Sequence, residues 1–329
     1  AALEAGDSVA ALHFWREALE RYPTFARTAH DSLEVPLGLR HFDEAEALMQ
    51  DGQRRAPGDI FYASGYALTA ERRGDTGEAI NRWGWVRKRF PGSWQGYVNG
   101  ATCLGRTGQL EAAEALSQQA IKLFPNEVRG WISSAQSAER RRDWPEAIRR
   151  WEIVRDRYKH IMGDIGVARG LEELGRIAEA EALLKEAQLR RSMVPEIAIG
   201  LVRLADLRGD TEEALQHCAD ARRRFPLLAF GYREGFRHLA KMARYEDAEI
   251  ILLAALERFP KEAWPAVEYA ALSQTRRDWE TAATRWAAVR AAWPDRQDGY
   301  LGGAAASAAL GRQDEAAELK AEHQLRFPR

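Results

Sequence analysis

Between Ile60 and Ser93 the small and apolar residues fall into two stripes, Ala63, Tyr66, Ala67 and Ala70, then Ala79, Trp83, Val86 and Phe90. Spacings of three and four put each set on one face of an α-helix. Gly74-Asp75 separates them. Glycine ends a helix without a Cβ penalty, and aspartate suits the start of the next. The pattern predicts a helix–turn–helix hairpin with one apolar side that it cannot bury alone.

The same pattern recurs along the whole chain. An aromatic-Pro pair appears as Tyr22-Pro23, Phe90-Pro91, Phe124-Pro125, Phe225-Pro226, Phe259-Pro260, Trp293-Pro294 and Phe327-Pro328, with Pro57 in the first gap. Most steps are 34 residues. Lys159 and Ser192 fill two proline slots, and the step between them is 33, so one residue is missing there. Gly108, Gly175, Gly209 and Gly311 repeat the turn of Gly74. Each proline closes the second helix, because the residue before it is pushed out of the helical region. Numbering each unit from residues such as Ile60, Trp94 and Val128, position 20 is alanine throughout: Ala11, Ala45, Ala79, Ala113, Ala147, Ala180, Ala214, Ala248, Ala282 and Ala316. Hairpins of this kind bury their apolar sides by stacking on their neighbours.

These residues resemble the tetratricopeptide repeat (TPR) family, whose 34-residue pattern has an aromatic at position 4, small residues at 8 and 27, Ala at 20, an aromatic at 24 and Pro at 32. Tyr97, Ala101, Ala113, Ala120 and Pro125 fit it and Ser117 does not; Trp131, Ala135, Ala147 and Trp151 fit in the next unit. The resemblance spans about ten repeats. It implies an all-α fold, a right-handed TPR α-solenoid built as a superhelix of antiparallel helix pairs, with residues 1–329 as a single solenoid domain. The first repeat lacks its opening helix and Phe327-Pro328-Arg329 is not followed by a polar capping helix, so a fragment of a longer protein is expected.

A second period of about 68 residues is superimposed. Trp15, Trp83, Trp151 and Trp286 occupy position 24 of alternate units, and the next unit has small residues at positions 3 and 7: Thr28/Ser32, Gly96/Gly100, Gly163/Val167 and Gly299/Gly303. The expectation is volume exchange, an indole seated over a shallow ridge. Cys218 breaks this rule, because Gly231 and Gly235 follow it without a tryptophan; Phe230 or Phe236 is the candidate filler. Pro36 is expected to kink its helix against the Ser32 carbonyl, and Gly38 and Gly52 make residues 32–52 the expected soft region.

Composition narrows the function. Of 329 residues, 48 are Lys or Arg and 49 Asp or Glu, so the formal net charge is −1. That balance argues against a general nucleic-acid or membrane-surface binder. Only seven of the basic residues are lysine, and the Arg-, Ala- and Trp-rich usage points to a GC-rich bacterial genome. Two cysteines, Cys103 and Cys218, exclude a disulfide framework or a four-Cys zinc site. The opening Ala1-Ala2-Leu3-Glu4-Ala5-Gly6-Asp7 lacks the charge and apolar stretch of a secretory signal, so the expected compartment is the cytoplasm. The longest apolar run, Ile250 to Leu256, is too short to span a bilayer.

Candidate chemistry is sparse. The seven histidines form no HExxH pattern, and His217-Cys218 side chains diverge by about 100° on a helix. No GxxxxGK[ST] phosphate loop occurs, and Gly96-Tyr97-Val98-Asn99-Gly100 falls inside a predicted helix. No enzyme activity and no cofactor or metal are expected.

In the TPR family positions 2, 5, 9 and 12 of the first helix line the concave surface. Position 9 holds Arg169, Arg203 and Arg237 in three consecutive repeats, with Arg233 one turn before the last; Phe230 and Trp264 stand at position 2. Guanidinium groups repeated along a groove suit carboxylates or phosphates, with aromatic neighbours as apolar anchors. The plainer alternative pairs Arg169 with Glu172 and Arg203 with Asp206. The family's carboxylate clamp for chaperone tails is matched at Asn99 and Arg129 but not at Ser64, Leu68 or Ser133, so that ligand is not expected. The resemblance therefore implies a scaffold that binds a protein or peptide in its groove, an acidic segment being one suitable target, with self-association left open. The alternative is the substrate-recruiting or dimerising region of a larger bacterial enzyme such as a protein glycosyltransferase. RNA binding in the manner of pentatricopeptide repeats suits neither the 34-residue step nor the neutral charge.

Overall fold

The computed structural model describes His13, Glu17, Arg21, Leu33 and residues 36–328. Ala11, Trp15, Thr28 and Ser32, and with them the start of the first repeat and the turn against which Pro36 would kink, lie outside the described residues. Among the described residues seventeen helices have both ends in view and no strand occurs. The chain is an all-helical α-solenoid, and it divides after Leu174 into two compact units.

The N-terminal unit contains α1 (Phe42–Arg55), α2 (Ile60–Arg73), α3 (Thr76–Arg89), α4 (Gln95–Arg106), α5 (Leu110–Leu123), α6 (Val128–Arg140), α7 (Trp144–Asp156) and α8 (Ile161–Glu173). The C-terminal unit contains α9 (Ile177–Arg190), α10 (Pro195–Arg208), α11 (Thr211–Arg224), α12 (Phe230–Lys241), α13 (Tyr245–Arg258), α14 (Trp264–Thr275), α15 (Trp279–Ala292), α16 (Gln297–Ala309) and α17 (Gln313–Arg326). Within each unit every helix packs on the one that follows. Connections this short return the chain antiparallel to itself.

The turn inside each hairpin is built as its sequence suggests. Gly74, Gly108, Gly175, Gly209 and Gly311 all have positive φ. Arg40, Arg142, Ala243 and Arg277 hold the same place with φ between 56° and 61°, so the turn imposes the left-handed conformation even on residues with a Cβ. Asp75, Asp143, Asp210 and Asp278 follow in alternate repeats. Each carboxylate accepts from the amide three residues on, at 3.0–3.3 Å, satisfying a donor that the first helical turn leaves orphaned.

The position-20 alanines are the core of the hairpins. All nine described ones are at most 2% exposed, because any larger side chain would push the two helices apart. Around Ala79, the predicted stripes meet in one cluster of Ala63, Ala67, Ala70, Trp83, Val86 and Cys103, with Phe90 at its edge. Tyr66 of the first stripe is the exception and packs on the preceding cluster around Met49 and Tyr62.

The volume exchange follows a different register from the one expected. Trp83, Trp151 and Trp286 are buried, but the Trp151 and Trp286 rings meet position 6 of the next unit, not positions 3 and 7. At Trp83 that position is Asn99, and a Cβ on Gly100 at position 7 would lie 3.7 Å from the Trp83 Cβ. A Cβ on Gly166 would lie 2.2 Å from the Trp151 ring, and one on Gly302 would lie 2.3 Å from that of Trp286. The same pairing joins Met49 to Gly65, Leu184 to Gly200, and the Ser117 and Ser133 hydroxyls at 2.8 Å. The glycines at position 3 instead admit the backbone of an arginine at position 28. A Cβ on Gly96 would sit 2.6 Å from the Arg87 nitrogen, and one on Gly163 would sit 2.3 Å from that of Arg155. Arg222 and Arg290 continue the series, donating to the Gly231 and Gly299 carbonyls, both at 3.0 Å. Cys218 is therefore no exception, since Gly231 and Gly235 serve Arg222. Gly52, expected to soften its region, is a packing position where a Cβ would strike the Tyr62 ring.

Partly buried ion pairs tie neighbouring repeats together at every second boundary. Arg82 contacts Glu46 of the preceding repeat and donates to Glu78 at 2.7 Å and the Tyr66 carbonyl at 3.0 Å. Arg150, 7% exposed, repeats this with Glu114, Glu146 and the Ser134 carbonyl at 2.6–2.8 Å. Arg285 does so with Glu249 at 2.5 Å and the Tyr269 carbonyl at 3.1 Å. Arg73, Arg141 and Arg276 reach the same three glutamates from the end of the intervening helix. Glu146 is held down at about 2, first by hydrogen bonds from Arg149 and then by Arg150.

Candidate partner-binding surfaces

In the N-terminal unit, first-helix residues of consecutive repeats enclose a cavity of about 450 Å³. Ile60, Phe61, Ser64 and Leu68 of α2 form one wall; Trp94, Gln95 and Asn99, at the start of α4 and along it, form another. Trp83 and Leu33 add apolar surface, and Arg129 of α6 closes the rim. Arg129 is positioned by its own helix start, where Glu127 accepts from its amide at 3.2 Å and its guanidinium at 3.1 Å. That places the guanidinium over the Trp94 ring, 4.4 Å from the centroid. Trp83 Nε1 donates to Glu71 at 3.3 Å, which also receives Arg106 at 2.7 Å. Ser64 Oγ is buried without a hydrogen-bond partner. Two predicted residues, Asn99 and Arg129, thus converge on an apolar cavity whose other walls the sequence reading missed. Their signal was the repeat register, which puts Ile60 and Trp94 at position 1 of their units, Ser64 and Leu68 at positions 5 and 9, and Asn99 at position 6.

Arg169, also in this unit, reaches back across the repeat boundary. It donates to Glu139 at 3.0 Å, and the other oxygen of that carboxylate accepts from Trp151 Nε1 at 2.8 Å. Its guanidinium is an inter-repeat tie with part of its surface exposed.

The C-terminal unit holds the remaining predicted residues. Arg233 lies over the Trp264 ring at 4.7 Å, and the Trp264 ring also neighbours that of Phe259, with centroids 6.1 Å apart. Arg237 is well exposed and pairs with Glu234 at 2.9 Å. Glu268, absent from the sequence-based set, faces both arginines. Burial pushes its carboxyl up, against the pull of Arg233 and Arg237, and Asp298 adds to the rise. Arg203 is exposed on α10. Phe230 is half-buried and packs against Val202, Ala205, Ala214 and Cys218. Burial pushes the Cys218 thiol up to about 12, as it does that of Cys103, so both stay protonated and unreactive at neutral pH.

Among the described residues no helix is long and apolar enough to cross a membrane. The tetratricopeptide repeat family model matches residues 66–128 and 168–229. No curated protein matches the sequence. The chain is similar in fold to a tetratricopeptide repeat protein from Parabacteroides merdae, at 14% identity over 72% of this chain and 94% of that one, with a TM-score of 0.54. It is likewise similar to the C-terminal part of a TPR repeat-containing protein from Cytophaga hutchinsonii, at 14% identity over 73% and 98%, with a TM-score of 0.52. Residues 66–128 and 168–229 are thus tetratricopeptide repeats, and the same 34-residue hairpin with its buried alanine recurs through the described residues.

Proposed function

We propose that this chain is a protein-binding scaffold without chemistry of its own, taking an extended peptide segment of a partner along its first helices. The cavity beneath Trp94 and Arg129 carries this reading. It offers apolar surface for one anchoring side chain, with Asn99, Gln95 and the Arg129 guanidinium at its edge for a backbone carbonyl or a carboxylate. Rigid helices hold these groups in place before binding, which lowers the ordering cost. The arginines of the C-terminal unit favour acidic sequence in the partner. Panning a random peptide library on the intact chain tests this. Selected peptides should combine an apolar anchor with Asp or Glu, and the Asn99→Ala/Arg129→Ala variant should bind them about tenfold more weakly, roughly 1.4 kcal/mol, at unchanged melting temperature. Equal binding by the variant would remove the cavity from the reading.

A further inference from the structure

The arginine seams described above have a fourth member with a different side chain. At the place of Arg82, Arg150 and Arg285, α11 carries His217, and the glutamate 36 residues upstream is again present, as Glu181 on α9. Glu181 is 6% exposed. It is held by Arg208 of α10 at 2.9 Å and by Lys185 of its own helix at 2.5 Å. Lys185 and Arg208 both also reach Glu213 of α11. The groups facing the imidazole are thus Glu213 and Asp220 from its own helix, Glu181 and Lys185 from α9, and Arg208 from α10. Two cations already satisfy the two nearest glutamates. His217 Nε2 is buried, 3.6 Å from Glu213, and has no hydrogen-bond partner.

An arginine keeps its charge at every physiological pH, and an imidazole does not. Burial first, then Lys185, hold the His217 ring below the usual histidine range. In the closed seam the ring therefore resists a proton that it would accept readily once exposed. The sign follows from linkage: the open form binds more protons, so closure weakens as pH falls below the ordinary histidine value of about 6.5. We propose that the seam joining α9 to the α10–α11 hairpin is an acid-sensitive joint, closed while His217 is uncharged and loosened when it is protonated, whereas the three arginine seams are indifferent to the same change. Arg203 stands on α10 and moves with this joint.

Hydrogen exchange on the intact chain at about pH 7.5 and 5.5, corrected for intrinsic exchange rates, tests the proposal. In the wild type, protection of α9, α10 and α11 should fall several-fold at the lower pH while α13, α14 and α15 hold theirs. His217→Arg should abolish that local fall, and Arg285→His should transfer it to α13–α15. No local loss in the wild type, or a loss that persists in His217→Arg, would overturn the proposal. Should Arg285→His fail to fold by circular dichroism, the comparison of wild type with His217→Arg decides alone.

Discussion

At the residue scale, identical backbone positions carry different side chains, and the differences predict opposite effects. Ala243 occupies the left-handed turn position at φ 56°, where glycine stands in five other hairpins. An L-residue costs about 1–2 kcal/mol there, so Ala243→Gly should raise stability by about 1 kcal/mol, read as a shift in the urea midpoint. Two helical glycines make a sharper pair. A Cβ at Gly84 would meet nothing within 4 Å, while one at Gly163 would lie 2.3 Å from the Arg155 backbone nitrogen. Gly84→Ala should stabilise α3 by about 0.8–1 kcal/mol. Gly163→Ala should cost about 1–3 kcal/mol or more through overpacking, because backbone cannot swing aside. Thermal melts of the two variants check both signs. The turn glycines were legible from sequence because a φ requirement is local. The role of Gly163 was not, since its neighbour belongs to another helix.

At the scale of elements, hairpins are joined by shape and by charge. Removing the Trp83 ring should cost about 3–5 kcal/mol, measured by chemical denaturation. The arginine seams set a smaller demand. Burial pushes the Glu114 carboxyl up, yet Arg150 and its neighbours bring it below the usual carboxylate range. Arg150→Ala would leave that carboxylate with Gln118 at 2.9 Å and Arg141 at 3.8 Å. The loss of charge-assisted hydrogen bonds is expected to cost about 1.5–3 kcal/mol, eased at acidic pH where Glu114 can protonate. A melt series at two pH values checks the cost and its relief. Sequence periodicity located every described hairpin and its core alanine. It paired the tryptophans with positions 3 and 7 because three-residue spacing reads the same for adjacent ridges of a helix, and only the relative rotation of two helices selects position 6.

At the scale of the whole molecule, the two units present different chemistry on their first helices: an apolar cavity rimmed by Asn99 and Arg129 in one, and Arg233, Arg237, Trp264 and Glu268 in the other. Exposed arginines contribute little to stability, so Arg203→Ala with Arg237→Ala should leave the melting temperature nearly unchanged and weaken binding of an acidic peptide selected on the wild type. Unaltered affinity by fluorescence anisotropy would exclude these residues from the interface. The sequence by itself determined the hairpin, its period and its packing alanines, since these depend on contacts along one helix or between helices a short turn apart. Only the tertiary structure decided which arginines tie one repeat to the next and which stay exposed on their own helix. Arg169 and Arg237 stand at the same repeat position, yet one is drawn back to Glu139 and the other lies exposed beside Glu234. That choice depends on carboxylates brought near by stacking, and no spacing rule along a single helix contains it.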